Sequence, residues 1–236
     1  MPTTDPAYFR AVPWCAALLS DPEYIVVPSR FGRPMKDGRG EFFTKTLATD
    51  TTITACICQT RRADRNNNGH QNSAAETTAT ASVPQATVSE VRAFLSTGPG
   101  VNGHPGIAHG GFVAAIIDEI MGFLINSNSA TTETAGIPPD GSAQPVHPHQ
   151  QPVPMTVPSA ISIMTAELTT KYRRPVPTGV PLLVRTWIEK TEGRKIFVRA
   201  TVEAEDRQIL TEGVGLFVAL KPGTRASAAR RTNAKL

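Results

Sequence analysis

The stretch His104-Pro105-Gly106-Ile107-Ala108-His109-Gly110-Gly111, running on as FVAAIIDEIMGFLIN over 112–126, decides the fold. From Phe112 to Ile125 only Asp118 and Glu119 are charged. The pattern predicts a helix that starts at the two glycines and is apolar on every side, hence buried. Asp118 lies two turns after Gly111 and on the same face. That face reads Gly111, Ala114, Ala115, Asp118 and Gly122, a stripe of small side chains with one carboxylate in it. The other faces carry Val113, Ile116, Ile117, Ile120, Phe123 and Leu124. A stripe of small residues lets a ligand or another backbone approach closely. A charge on a buried helix is costly unless it is partnered or has a task, so Asp118 is the first candidate functional residue.

Around this helix the chain reads as strands. Residues 86–98 (ATVSEVRAFLSTG) precede it as a strand, closed by the turn signals of Gly98-Pro99-Gly100. After it come 160–173, 181–190, 195–204 and the run ILTEGVGLFVAL from Ile209. In 195–204, Ile196, Val198, Ala200, Val202 and Ala204 alternate with Lys195, Phe197, Arg199, Thr201 and Glu203. One face of that strand is therefore buried. Short turns such as Thr191-Glu192-Gly193 suggest that these four strands form an antiparallel meander. The expected class is α+β: an antiparallel β-sheet wrapped around one long central helix, each covering the other's apolar face.

Upstream, residues 1–40 read as an N-terminal helical lead-in and surface segment. Pro13 interrupts the helical part, and Phe9, Val12, Trp14, Ala17 and Leu18 are placed to dock on a core. The segment 21–40 is expected to wrap a surface. Residues 41–60 predict two strands, or one strand with a bend at Thr49-Asp50. The main domain spans 41–220, with low-complexity insertions at 61–85 and 127–158, and a basic flexible tail follows over 221–236. His147 and His149 in the second insertion lack cysteine or acidic neighbours, so they read as a solvated loop and no metal site is expected.

At 236 residues with 40% hydrophobic residues, the chain has the material for one core with insertions. Its net charge of +4 is matched by Arg225, Arg230, Arg231 and Lys235 in the tail, which leaves the body neutral. Nucleic acid is therefore not an expected partner, since that needs a basic face on the fold. The three cysteines, Cys15, Cys56 and Cys58, form no regular framework and suggest a reducing compartment. Cys56 and Cys58 share one face of a strand and read as buried structural thiols. The N-terminus lacks the basic-then-apolar order of a secretory leader. No run approaches 18 apolar residues, so no membrane span is expected.

The helix-start motif His109-Gly110-Gly111 with Asp118 seven residues on is followed by Met164-Thr165-Ala166-Glu167-Leu168 and Tyr172-Arg173-Arg174-Pro175. Together these resemble the hotdog-fold acyl-CoA thioesterases of the phenylacetyl-CoA thioesterase type, over roughly 41–60 and 86–220 less the second insertion. The resemblance implies that Asp118 is the catalytic carboxylate, as general base or nucleophile on the thioester carbonyl. Thr165 falls at the Ser/Thr position that holds the attacking water. The backbone N–H of Gly110 or Gly111, behind the motif's His109, is the oxyanion donor. The resemblance also implies a homodimer or dimer of dimers paired edge to edge, with each site shared between two subunits, and no metal or organic cofactor. Some relatives carry an Asn six residues before the motif histidine, where this chain has Gly103 beside Asn102.

The leading expectation is hydrolysis of an acyl-CoA thioester, with Lys171, Arg173 and Arg174 clustered at a strand end to meet the CoA phosphates. A hotdog dehydratase would need His104 or His109 as its histidine. A non-catalytic acyl-binding or assembly protein would keep the fold and tolerate loss of Asp118. The terminal Ala234-Lys235-Leu236 resembles the Ser-Lys-Leu peroxisomal address, which makes the location peroxisomal or cytoplasmic and suits a role in lipid metabolism.

Overall fold

A computed structural model describes residues 2–29, 31, 38, 40–61, 88–128 and 162–220. Most of both low-complexity insertions lies outside the described residues, with His147, His149 and the whole tail from 221. The strands are β1 (Tyr24–Val27), β2 (Ile53–Arg61), β3 (Glu90–Thr97), β4 (Asn102–His104), β5 (Ile107–Ala108), β6 (Ile163–Tyr172), β7 (Pro181–Glu192), β8 (Lys195–Glu203) and β9 (Ile209–Ala219). The helices are α1 (Pro6–Arg10), α2 (Pro13–Leu19) and α3 (Gly110–Ser127). Seven strands form one antiparallel sheet in the order β1-β2-β3-β7-β8-β9-β6. The expected class holds, with one long helix against one large sheet.

Helix α3 presses Val113, Ile116, Ile117, Ile120, Met121 and Leu124 into the sheet, where all are buried. The approach is close over β9. A Cβ on Gly213 would come within 2.7 Å of Ile117, and one on Gly215 within 2.7 Å of the Met121 sulfur. Cys56, Cys58, Val91, Ala93, Leu95, Val184, Val198, Ala200 and Val202 complete this core. The expected alternation of β8 holds at Val198, Arg199 and Ala200 and then breaks, because Thr201 and Glu203, expected on the open face, are buried along with Val202. By length and composition alone α3 could cross a bilayer. Its long contact with the sheet identifies it instead as the core helix.

Several expectations need correction. The helix is not buried on every side: Gly111 is exposed, and Ala114, Ala115, Asp118 and Gly122 are only partly covered. The small stripe therefore runs along the margin of the helix–sheet contact, partly uncovered and next to the edge strand β6. Residues 21–40 do not merely wrap a surface, because β1 pairs with β2 as the first edge strand. Arg92, buried in the sheet, holds it there with a 3.0 Å ion pair to Asp21 and stacks over the Tyr24 ring. Residues 42–46 form a π-helical turn rather than a strand, so 41–60 gives neither two strands nor one bent strand but the turn followed by β2. In the lead-in, Phe9, Cys15 and Leu19 are buried, whereas Ala17 is exposed. They cover the outer face of the sheet at Ala55, Ile57, Phe94 and Leu183, opposite α3.

The last four strands are not a simple meander. Strands β7, β8 and β9 follow one another, but β6 pairs with β9 at the far edge while β7 pairs with β3. Side-chain alternation could not reveal this, since it fixes which face is buried and not which strand lies alongside.

Candidate active site

Helix α3 begins with His109 as its N-cap, in extended backbone conformation. The Nδ1 of His109 accepts from the Gly111 N–H at 3.0 Å. An Nδ1 that accepts keeps its lone pair, which puts the ring proton on Nε2. The cap also uses up the Gly111 N–H. Of the two candidate oxyanion donors only Gly110 is left with its N–H directed out of the helix end. Gly103 packs beside this cap, where a Cβ would lie 3.0 Å from the His109 Cα. The neighbouring Asn102 is engaged as well, its Oδ1 accepting from Thr178 at 2.7 Å. From the sheet side, the Tyr172 hydroxyl donates to the Gly110 carbonyl at 2.7 Å. Tyr172 thus fixes the helix start, a task that sequence reasoning missed.

Two turns on, Asp118 accepts a 2.8 Å hydrogen bond from the Thr165 hydroxyl. These residues are 47 apart in sequence and meet because β6 crosses α3 at this point. A bulge makes the meeting possible. Thr165 pairs with Phe217 and Glu167 with Leu216, so Ala166 is an extra residue. The extra residue shifts the side-chain parity, so that Thr165 before it and Leu168 after it both face the helix. Burial raises the Asp118 carboxyl above its ordinary range, and the Thr165 hydroxyl acts against this by stabilising the charged form.

Asp118 and Thr165 open onto a cavity of about 160 Å³ along α3 toward its C-terminal end. Glu119, Gly122, Phe123 and Asn126 line it from the helix, and Ile163 and Phe217 from the sheet. At the other end, Arg174 lines a second cavity of about 350 Å³ with Ile107, Pro175, Pro177, Gln208 and Leu210. The expected basic cluster divides here. Arg173 is bound by Glu212 through two contacts of 2.8 and 3.0 Å, so its charge is already matched. Lys171 and Arg174 have no ion-pair partner among the described residues and are exposed. The three cysteines are free and buried, as expected of structural thiols, and burial pushes the Cys15 thiol up to about 12. Among the described residues no cluster of His, Cys, Asp and Glu could hold a metal ion.

Comparison with known proteins gives a family match. The model described as "Thioesterase superfamily" matches residues 105–211, from the loop before α3 into β9. Acyl-coenzyme A thioesterase THEM4 of Xenopus laevis is 30% identical over 130 residues, which is 55% of this chain and 45% of that protein. The protein of the same name from Mus musculus is 32% identical over 123 residues, 52% of this chain and 40% of that one. The chain thus spans less than half the length of these relatives. Among solved structures, the BH2602 protein of Bacillus halodurans, determined with CoA, is 26% identical at a TM-score of 0.38. That match covers 56% of this chain and 68% of the other.

Proposed function

We propose that the chain hydrolyses an acyl-CoA thioester to a free acid and CoA, a reading supported by the match of residues 105–211 to the family model described as "Thioesterase superfamily". The observation that carries this reading is the 2.8 Å contact between the Thr165 hydroxyl and a partly buried Asp118 on the partly uncovered stripe of α3. Asp118 takes a proton from a water molecule, which Thr165 helps to hold, and the hydroxide attacks the thioester carbonyl. The carbonyl oxygen becomes an oxyanion and accepts from the Gly110 N–H at a helix N-terminus, where the dipole favours negative charge. Collapse of the tetrahedral intermediate breaks the C–S bond, and the CoA thiolate leaves and recovers a proton. Asp118 could alternatively attack directly and form an anhydride that water then opens, and the same two groups serve either route.

One chain cannot supply both groups to one carbonyl. Gly110 and Asp118 are eight residues apart on a helix, which is about 12 Å of rise at 1.5 Å per residue. The Gly110 N–H also points away from Asp118, since helix N–H groups point to the N-terminus. A reacting carbonyl needs both within about 3 Å, directly or through one water. The reading therefore requires a homodimer or dimer of dimers in which one subunit's Gly110 faces its partner's Asp118. Strand β6 suits that pairing, because among the described residues it is an edge strand, paired with β9 alone, and mostly exposed, with Met164 and Tyr172 about half exposed. Lys171 and Arg174 are assigned to the CoA phosphates, and Arg173 is left to Glu212. A dehydratase is less well supported, since the Nδ1 of His109 is committed to the helix cap.

The test is thiol release from a panel of acyl-CoA substrates by wild type and by Asp118→Asn. The variant should fold and lose at least about 100-fold in kcat. Turnover close to wild type in folded Asp118→Asn would remove Asp118 from the mechanism. No release by wild type from any acyl-CoA would end the thioesterase reading.

A further inference from the structure

The two glycines that open α3 are held from opposite sides. The Gly110 carbonyl and the Gly111 N–H belong to one planar trans peptide unit and point in opposite directions. The carbonyl accepts from the Tyr172 hydroxyl at 2.7 Å, and the N–H donates to His109 Nδ1 at 3.0 Å. The same two side chains lie close against the glycines. A Cβ on Gly110 would rest 3.4 Å from the Tyr172 ring, and one on Gly111 would come within 3.1 Å of His109 Nδ1. Neither glycine has a positive φ, so both suit the approach of these side chains rather than a turn. The cost is a soft helix start. Glycine has the most backbone freedom to lose, and helix ends fray. An oxyanion donor works best when its direction is fixed before the reaction. The peptide that carries the Gly110 N–H is anchored through the His109 carbonyl, which accepts from Val113 at 3.1 Å. What freedom it keeps is rotation about the Gly110 backbone bonds, and a clamp on the next peptide removes that.

We infer that Tyr172 is a positioning residue of the proposed reaction: together with His109 it clamps the Gly110–Gly111 peptide and so aims the Gly110 N–H at the oxyanion. The inference rests on the thioesterase reading and adds to it a residue that acts on the oxyanion donor through the backbone. His109 acts locally, as the helix cap. Tyr172 reaches the same peptide from β6, 62 residues further along the chain. A backbone carbonyl has two lone pairs, so Gly110 can serve both the helix ladder and the Tyr172 hydroxyl. Strand β6 thus holds α3 at both working points, with Thr165 at Asp118 and Tyr172 at Gly110. On the shared-site reading these two contacts serve different sites, since one subunit's Gly110 faces its partner's Asp118. Tyr172 therefore tunes the donor and leaves the base to Thr165.

The test compares wild type with Tyr172→Phe, which keeps the ring and removes the hydroxyl, in thiol release from the acyl-CoA that wild type turns over fastest. Loss of a whole oxyanion donor costs about 10²–10³-fold, so misaiming it should lower kcat about 10- to 100-fold. KM should stay within about twofold, since the interaction is made in the transition state. A kcat close to wild type in folded Tyr172→Phe would overturn the inference. So would a rise in KM alone, which would make Tyr172 a substrate contact, or a loss of oligomer mass by light scattering, which would make it an interface residue. A double-mutant cycle separates aiming from general support. Tyr172→Phe combined with His109→Ala should depart from the product of the single losses by at least about threefold, because both act on one peptide. Tyr172→Phe combined with Thr165→Val should simply multiply, and multiplication in both pairs would refute the clamp. Failure of the thioesterase reading is separable from failure of this one, because ¹⁵N relaxation needs no substrate. The amides of Gly110 and Gly111 should have order parameters near those of rigid backbone, about 0.85, in wild type and below about 0.6 in Tyr172→Phe. Unchanged order parameters would overturn the clamp even if thioesters are cleaved. Loosened glycines in a protein that cleaves no thioester would uphold the clamp and end only the reaction assigned to it.

Discussion

Replacing Thr165 with valine removes one hydroxyl and leaves the rest of the side chain's shape. The hydroxyl donates to Asp118 Oδ1 at 2.8 Å, and a hydrogen bond to a charged group is worth about 1.5–3 kcal/mol. Thr165 is exposed on an edge strand, so water screens the contact and the low end applies. At about 1.4 kcal/mol per factor of ten, the loss is about tenfold in kcat/KM, rising toward a hundredfold if the attacking water loses its orientation too. A second effect follows from the balance at Asp118. Burial raises its carboxyl and the Thr165 hydroxyl lowers it, so removing the hydroxyl moves the acidic limb of kcat/KM to higher pH. Valine suits an edge strand and Thr165 buries little, so melting should fall by no more than the loss of this one screened hydrogen bond, and Thr165→Ser should keep most of the activity. The assay is thiol release from the best acyl-CoA between pH 4 and 9. Folded Thr165→Val with wild-type kcat/KM and an unmoved acidic limb would refute the role given to this contact.

The remaining predictions concern stability, assembly and location. Because burial raises the folded Asp118 carboxyl above its unfolded value, the native state binds that proton more tightly. The stability this provides is full below the unfolded value, near about 3.9, and is lost as pH rises through the folded one. Asp118→Asn should therefore melt above wild type at pH 7, with the gap closing toward pH 4, and a lower melting temperature at pH 7 would contradict the shift. Light scattering should give a dimer or dimer of dimers at assay concentration, whereas an active monomer would exclude the shared site. A fluorescent fusion with a free C-terminus should form puncta with a peroxisomal marker and become diffuse when Ala234-Lys235-Leu236 is deleted. An unchanged pattern after deletion would exclude that address.

Much of the helix and its site was legible because the information is local. Gly110 and Gly111, the apolar run to Ile125 and Asp118 at a two-turn spacing sit within one stretch, and α3 begins where the glycines predict. What was hidden depends on contacts between distant residues. No pattern in 21–40 reveals that Tyr24–Val27 pairs with β2, because the pairing is held by Arg92 reaching back 71 residues to Asp21. The place of β6 beside β9 was likewise invisible to alternation. The bulge at Ala166 did leave a signal. Inward-facing Ile163 and Thr165 are followed by Leu168 and Thr170, a slip of one in the two-residue period. Assigning the oxyanion donor also needed coordinates, since only the His109 contact separates Gly110 from Gly111.

The two sides of α3 obey different rules. Its inner side is packed so tightly that Gly213 and Gly215 must give up side chains to Ile117 and Met121. Its outer side departs from what a stable helix prefers: two glycines at the start, a carboxyl whose ionisation burial disfavours, and a glycine in mid-helix that no neighbour requires. Each departure costs stability locally and is tolerated because the inner side holds the helix to the sheet. Departures scattered at random would fall on both sides. Asp118 and Gly122 fall with Gly111 on the partly uncovered stripe, whereas Gly110 is held from the sheet side by Tyr172. The stripe also explains why a helix apolar enough to be fully buried leaves one side partly uncovered. On the proposed reading, that side is where substrate and the partner subunit reach.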